Sequence, residues 1–326
     1  MLIVRTPLRV SFFGGGTDFP EFFLQNGGAV LGTAINKYIY HTVSHLPSWL
    51  FNHTIRFAYR KVEFVNQIDE LEHVPFREIL RMCGVTRDLE VNLASDLPSF
   101  SGLGSSSSFS VGLINGLHAH CNKLIDARTL ARLAIHVERS ILHETVGMQD
   151  QIFAAFGGLN LVRFHDKDQF TVEPFALRSS RLQELDESLM LFFTGATRRA
   201  QEIEKKKLLN FSRNEKHLQK ILDLVARAAT ILQGEHDLSE FGYLLDQTWR
   251  EKRQLDETVS STEIDSMYQL GIGAGALGGK LLGAGGGGFM LFFAPKERQE
   301  GIRHALIGYH EIDFHINAPG STIIYS

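Results

Sequence analysis

The run Pro98-Ser99-Phe100-Ser101-Gly102-Leu103-Gly104-Ser105-Ser106-Ser107-Ser108 places two glycines and four consecutive serines directly before a segment that reads as a helix. There Phe109, Leu113 and Leu117 recur every fourth residue, an apolar face at helical spacing. A Gly-rich turn that opens a helix leaves the first backbone N–H groups without partners, and the helix dipole adds partial positive charge at the same spot. Such a spot suits a phosphate, and the serine hydroxyls suit a metal. A serine-capped helix after a flexible turn has the same pattern, so spacing alone leaves both readings open.

Carboxylates supply the next candidates. The helix expected over 127–144 carries Leu130, Leu133, Ala134, Val137 and Ile141 on one stripe, and Glu138 falls on that buried side. A buried carboxylate needs a cation or strong hydrogen bonds, so Glu138 reads either as a metal ligand or as half of an arginine ion pair. Asp150 follows Gly147-Met148-Gln149 where a short helix opens, the ordinary place of an N-cap. Asp18, after Gly14-Gly15-Gly16-Thr17, suits a turn. Arg9 sits on a strand between apolar neighbours, so its guanidinium has to find an anion.

A third glycine block, Gly283-Ala284-Gly285-Gly286-Gly287-Gly288, matches GxGxxG as a string. The apolar run Phe289-Met290-Leu291-Phe292-Phe293 after it reads as a strand, which argues against a dinucleotide site. No GxxxxGK[ST] occurs, and the 14 histidines show no metal-ligand spacing. Each glycine block alone is a tight turn; together they suggest backbone approaching a ligand from several sides.

With 326 residues, 44% hydrophobic and 21% charged, the composition is that of a soluble globular chain with room for two domains. A net charge of −4 gives no electrostatic case for nucleic acid or an anionic membrane, so any anion has to be held locally. Two thiols, Cys83 and Cys121, suit a reducing compartment. No window approaches the ~18 apolar residues of a membrane span, and the first residues are too short an apolar run for a signal peptide. The expectation is a cytoplasmic protein whose oligomeric state is not readable.

Strands are expected over 1–13, 28–45, 88–94, 159–164, 169–175, 189–194 and 289–294. Helices are expected over 105–121, 127–144, 150–156, most of 196–233, and 237–256. Mixing without strict βαβ alternation favours an α+β fold. The polar stretch 178–187 reads as a boundary, giving domains 1–184 and 185–326. Lys205-Lys206-Lys207, among Glu202 and Glu204, reads as a solvated helix face.

These motifs resemble one family, the GHMP sugar and mevalonate kinases. The family's phosphate loop, Pro-x3-Gly-Leu-Gly-Ser-Ser, stands here from Pro98 to Ser106. Its N-terminal motif is similar to Pro7-Leu8-Arg9-Val10 with Gly14-Gly15-Gly16-Thr17-Asp18, and its C-terminal glycine motif to the run from Lys280 to Phe289. All three stand in the family's order. Leu8 and Gly15-Gly16 depart from the galactokinase pattern and set galactokinase itself aside. The opening from Arg5 to Asp18 looks most like the bacterial D-glycero-D-manno-heptose phosphate kinases, with fucokinase-type enzymes close by.

The resemblance implies a ribosomal-S5-like N-terminal domain that binds ATP and a ferredoxin-like C-terminal domain. It also implies a transferase of carbohydrate metabolism that moves the γ-phosphoryl group to the anomeric hydroxyl of a heptose 7-phosphate, in nucleotide-activated heptose biosynthesis. The alternatives are a free-sugar kinase of the fucokinase type and a catalytically silent sugar- or nucleotide-binding regulator. By similarity Pro98, Gly102, Leu103, Gly104, Ser105, Ser106, Ser107 and Ser108 hold the nucleotide, and Ser106 with Glu138 binds Mg²⁺. Asp150 is the catalytic aspartate and Arg9 a cation beside it. Asp18, Thr17, Gly15, Gly16, Gly285 and Gly286 face the sugar. Arg198, with Arg199, is a candidate for a substrate phosphate or simply a solvated helix start, and Lys37 is another candidate.

Overall fold

The computed structural model describes residues 1–166, 169–197 and 200–326. The β-rich runs of the first half form β1 (Leu2–Phe13), β2 (Gly28–His45), β3 (Ile55–Ala58), β4 (Val62–Val65), β5 (Leu89–Ser95), β6 (Leu159–Asp166) and β7 (Gln169–Pro174). Helices α1 (Pro20–Asn26), α2 (Val74–Cys83), α3 (Ser105–His120), α4 (Ala127–His136) and α5 (Gln149–Phe156) lie between them. The second half adds α6 (Ser179–Glu187), β8 (Leu189–Phe193), α7 (Ala200–Leu209), α8 (Phe211–Gln233) and α9 (Ser239–Arg253). It continues through α10 (Thr262–Gly273), β9 (Gly278–Leu281), β10 (Phe289–Phe293), α11 (Lys296–Ala305), β11 (His310–Ile312) and β12 (Thr322–Tyr325).

Two sheets result. The larger runs β12-β1-β2-β5-β3-β4, with β6 and β7 continuing from β2; the smaller runs β11-β8-β10-β9. Among the described strand pairs only β3 with β5 is parallel, so the α+β expectation holds. The last strand pairs β1, so the end of the chain lies on the first sheet.

How β1 is covered decides where the serine-rich loop sits. Along one edge β1 pairs β2 as far as Phe13, but on the other β12 covers only Ile3, Val4 and Arg5. Pro7, which has no N–H to give, is tolerated where that second edge is open and the register shifts. The loop takes up the exposed groups: the Arg9 N–H donates to the Leu103 carbonyl at 3.0 Å, and the Ser108 hydroxyl to the Pro7 carbonyl at 2.7 Å.

Helix α3 then runs beneath the sheet. A single apolar stripe was the expectation, yet every residue from 107 to 117 is buried, because sheet and helices α2, α4 and α5 enclose it. Gly112 lets it approach: a Cβ there would stand 2.6 Å from the Thr6 hydroxyl and from His41 Nδ1. Phe241 of α9 makes edge contacts with Phe12 and Phe13 at 5.4 and 5.0 Å, tying the second half to β1.

The bounds of one expected helix change. Helix α4 stops at His136, and Val137–Ile141 is a π-helical turn rather than a continuation to 144. The polar stretch 178–187 is mostly helix α6, of which only Leu185 is buried. The GxGxxG string is the connection between β9 and β10, a turn in which Gly283, Gly285, Gly286, Gly287 and Gly288 all have positive φ. Among the described residues no helix is long and apolar enough to cross a membrane.

Candidate active site

The N-terminus of α3 faces a cleft between the two halves, and the Gly-rich turn sets its entry. Gly104 precedes the helix in the left-handed region, φ 76°, and no side chain caps the first turn. Ser108 is the first residue to donate within the helix, to the Gly104 carbonyl at 2.9 Å, so the N–H groups before it remain for a ligand.

Arg9 and Asp150 lock together beside this turn. Arg9 Nε and Nη2 each donate to one Asp150 carboxylate oxygen at 2.7 Å, a two-pronged pair, and Nη1 donates to the Gly102 carbonyl at 2.6 Å. Asp150 is not a helix cap: Met148 holds that position, and the Asp150 carboxylate, 26% exposed, turns to the cleft. Gly104 leaves room for the pair, since a Cβ there would stand 3.2 Å from Arg9 Cγ and 3.3 Å from Asp150 Oδ2.

Asp18 completes a second carboxylate position. It is buried and accepts from the Gly16 and Gln149 N–H groups at 3.0 and 3.1 Å. Burial pushes its carboxyl up, and the charge of Asp150 adds to the push. Gly147 is required beside it, because a Cβ would fall 1.9 Å from Asp18 Oδ2.

Glu138, on the π-helical turn, is 1% exposed and has no arginine partner among the described ion pairs. Its Oε2 accepts from Ser107 at 2.9 Å and from Gln151 Nε2 at 2.5 Å, while Oε1 has no partner. The hydroxyl on Glu138 is therefore that of Ser107; Ser106 is exposed at the cleft next to it. Burial, with Glu144 adding to it, pushes the Glu138 carboxyl up to about 8 from 4.5. The folded chain then holds a proton that the unfolded chain has lost between those values. The associated stability is present below 4.5 and is lost as pH rises toward 8. In chelator, Glu138→Gln is expected to melt higher relative to wild type at pH 8 than at pH 5, by several degrees. A difference that does not change with pH would contradict this reading of Glu138.

Cations that the sequence reading missed line the other wall. Lys280 is 3% exposed and donates to the Ser11 and Phe12 carbonyls at 2.8 and 2.9 Å. Lys252, 7% exposed, donates to the carbonyls of Leu281 and Gly283 at 2.8 and 2.5 Å. Lys207 is not part of a solvated face; it pairs with Glu204 at 2.6 Å and lines the cleft, while Lys205 and Lys206 are exposed. Lys252 had a legible signal: it follows Leu245 and Trp249 on the apolar stripe of α9, as Glu138 does on its own stripe.

Of the expected site residues, Arg9, Gly15, Gly16, Asp18, Gly102, Gly104, Ser105, Ser106, Ser107, Glu138, Asp150 and Gly285 line this one cleft. Others do not. Thr17 is fully buried, its hydroxyl donating to the Gly14 and Ala29 carbonyls, so it builds the turn. Leu103 packs in the core, Ser108 is spent on Pro7, and Pro98 is exposed outside the cleft. Gly286 gives its N–H to Val259 and lies behind the lining. Lys37 stands near His315, away from the cleft, and Arg198 and Arg199 lie outside the described residues.

The third glycine block packs on the serine-rich loop. A Cβ on Gly283 would stand 2.4 Å from Gly102 Cα, and one on Gly288 2.2 Å from the Ser101 carbonyl oxygen.

Known proteins share this arrangement of sequence. The family model of the GHMP kinases N terminal domain matches residues 72–158, and that of the GHMP kinases C terminal matches residues 222–311. The D-glycero-alpha-D-manno-heptose 7-phosphate kinase of Campylobacter jejuni is 31% identical, over 93% of this chain and 92% of that protein. The chain belongs to the GHMP kinases. As a member it is an ATP-dependent kinase with the family's two-domain fold. The bifunctional fucokinase/GDP-fucose pyrophosphorylase of Arabidopsis thaliana is 25% identical over 95% of the GHMP kinase described here, which spans 31% of that larger protein. The fold is shared with the crystal structure of a D-glycero-D-manno-heptose 1-phosphate kinase from Bacteriodes thetaiotaomicron, TM-score 0.82 and 24% identity over all of both chains.

Proposed function

We propose that this kinase moves the γ-phosphoryl group of ATP to the anomeric hydroxyl of a sugar phosphate, D-glycero-D-manno-heptose 7-phosphate, to give the 1,7-bisphosphate. The observation that carries the reading is the two-pronged Arg9–Asp150 pair beside the open N-terminus of α3. The acceptor is supported by the similarity to the C. jejuni heptose 7-phosphate kinase along nearly the whole chain. A free-sugar acceptor such as fucose is the second reading, supported by the weaker similarity to the bifunctional fucokinase/GDP-fucose pyrophosphorylase of Arabidopsis.

Phosphoryl transfer asks a protein mainly for positioning and for stabilising charge. In this reading the free N–H groups of the first turn of α3 hold the nucleotide phosphates, and the helix dipole favours their charge. Asp18 accepts hydrogen bonds from the sugar hydroxyls. Asp150 orients the anomeric hydroxyl and takes its proton, which that hydroxyl gives up more readily than an ordinary alcohol does. Arg9 fixes the Asp150 carboxylate and offers its charge to the phosphoryl group in transit.

The orphaned Glu138 Oε1, with the hydroxyls of Ser106 and Ser107 beside it, is an all-oxygen donor set that fits Mg²⁺. Bound there, Mg²⁺ would neutralise charge on the β- and γ-phosphates. Ser106→Ala and Ser107→Ala separate the two hydroxyls: the one that holds the ion raises the Mg²⁺ concentration needed for half-maximal turnover. No change in either variant would remove both serines from the metal site.

The acceptor is tested by kcat/KM with ATP over heptose 7-phosphate, free heptose, fucose and galactose. Heptose 7-phosphate is expected to lead by a wide margin. A strong preference for fucose would overturn the assignment.

A further inference from the structure

Two buried lysines in the cleft have no counter-ion among the described residues. Arg9 is matched by Asp150 and Lys207 by Glu204, but neither Lys252 nor Lys280 has a carboxylate within ion-pair distance among the described residues. Each spends two of its three N–H donors on backbone carbonyls and keeps one. A buried cation with no anion is costly, and here two stand at one cleft with Arg9 and Lys207 close enough to act on them. Such an excess is what a dianionic ligand removes. Placement selects between the two phosphates available. Ser107 and Glu138 stand with the N-terminus of α3, where the nucleotide phosphates are proposed. Lys280 instead hangs on the Ser11 carbonyl, and Ser11 flanks Gly15 together with Gln149, whose N–H binds Asp18, so the seat lies on the acceptor's side.

We infer that Lys252 and Lys280 form a seat for a phosphate dianion, and that the group seated is the phosphate which the acceptor already carries. This rests on the sugar-phosphate reading above and locates it on residues that none of the sequence motifs pointed to as a phosphate site. An ammonium on a backbone-held stem is a point charge, so the seat selects charge more than shape. In the free protein burial, then Arg9, pushes the Lys280 ammonium down to about 7 from 10.5, and burial also pushes Lys252 down. A bound dianion reverses that push. Phosphate binding near pH 8 should therefore draw protons into the site, with Arg9, Lys207 and Glu204 as the other charged neighbours.

The test compares heptose 7-phosphate with the same heptose lacking phosphate, in wild type, Lys252→Met, Lys280→Met and the charge-keeping Lys252→Arg. The preference for the phosphorylated acceptor, as a ratio of kcat/KM, is expected to fall ~10²-fold in each Met variant, mainly through KM. Lys252→Arg should recover most of it. An equal loss on both acceptors, or a loss seen mainly in the KM for ATP, overturns the seat and assigns the charge to the nucleotide. A wild-type enzyme that does not distinguish the acceptors overturns the sugar-phosphate reading itself, and the seat with it. If the Met variants do not fold, calorimetry on the wild type decides. Binding is measured at pH 8 in two buffers of different ionisation enthalpy. Uptake of roughly one to two protons with heptose 7-phosphate and none with free heptose is expected. No uptake with either overturns the seat.

Discussion

Asp150→Asn is expected to lower kcat by ~10²-fold or more while the KM for ATP stays within about threefold, read by steady-state kinetics. Asparagine keeps the size of the side chain but gives Arg9 one oxygen instead of two. The Asn amide N–H groups then meet the guanidinium N–H groups that now donate to both carboxylate oxygens at 2.7 Å. The variant thus loses the base and disturbs the cation beside it, in a site where Arg9 is 5% exposed and water does not easily substitute. The nucleotide phosphates are proposed to rest on backbone of α3, which the change does not touch. Turnover near that of wild type would leave Asp150 as no more than the partner of Arg9.

Gly102→Ala is expected to cost a similar factor for a different reason. Gly102 has φ 80°, and a Cβ would stand 2.6 Å from the Leu282 carbonyl oxygen. That neighbour is backbone, so nothing flexible gives way. The loop and the third glycine block have to part, and the carbonyl that accepts from Arg9 moves with the loop. A misplacement of about 1 Å in such a site costs ~10²-fold in kcat. Gly84→Ala is the control: φ is 70° at the end of α2, but no atom lies within 4 Å of the added Cβ. It should lower the melting temperature through backbone strain and leave kcat within about twofold. If Gly102→Ala affects only stability, as Gly84→Ala does, the loop position is not what the chemistry depends on.

What was legible in the sequence were the segments whose own chemistry dictates a local shape. The turns at Gly14-Gly15-Gly16, Gly102-Leu103-Gly104 and 283–288 announce themselves through glycine, and the apolar runs around them through period. Glu138 was legible because a carboxylate on an apolar stripe is anomalous. Lys252 carried the same anomaly on α9 and was read as part of an ordinary helix. Helix α4 was read too long because its apolar stripe continues to Ile141, and periodicity does not register the change to a π-helical turn at Val137. Helix α6 was not read as a helix because with only Leu185 buried it has no stripe. Thr17 and Ser108 stand in the motifs beside cleft-lining residues, and only the fold shows that their hydroxyls serve backbone carbonyls. The pairings that make the site, Arg9 with Asp150 and Lys280 with Ser11, join residues far apart in the chain, and no local pattern encodes them.

The central claim, transfer to the anomeric oxygen of a sugar that already carries a phosphate, is tested most directly by phosphorus NMR of the product. ATP, Mg²⁺ and heptose 7-phosphate are incubated with the kinase, and the sugar is recovered. The account predicts that the original phosphate resonance persists and that a second appears, split by coupling to the anomeric proton. A second phosphate with no coupling to that proton, or ADP formed while the sugar keeps a single phosphate, would contradict it.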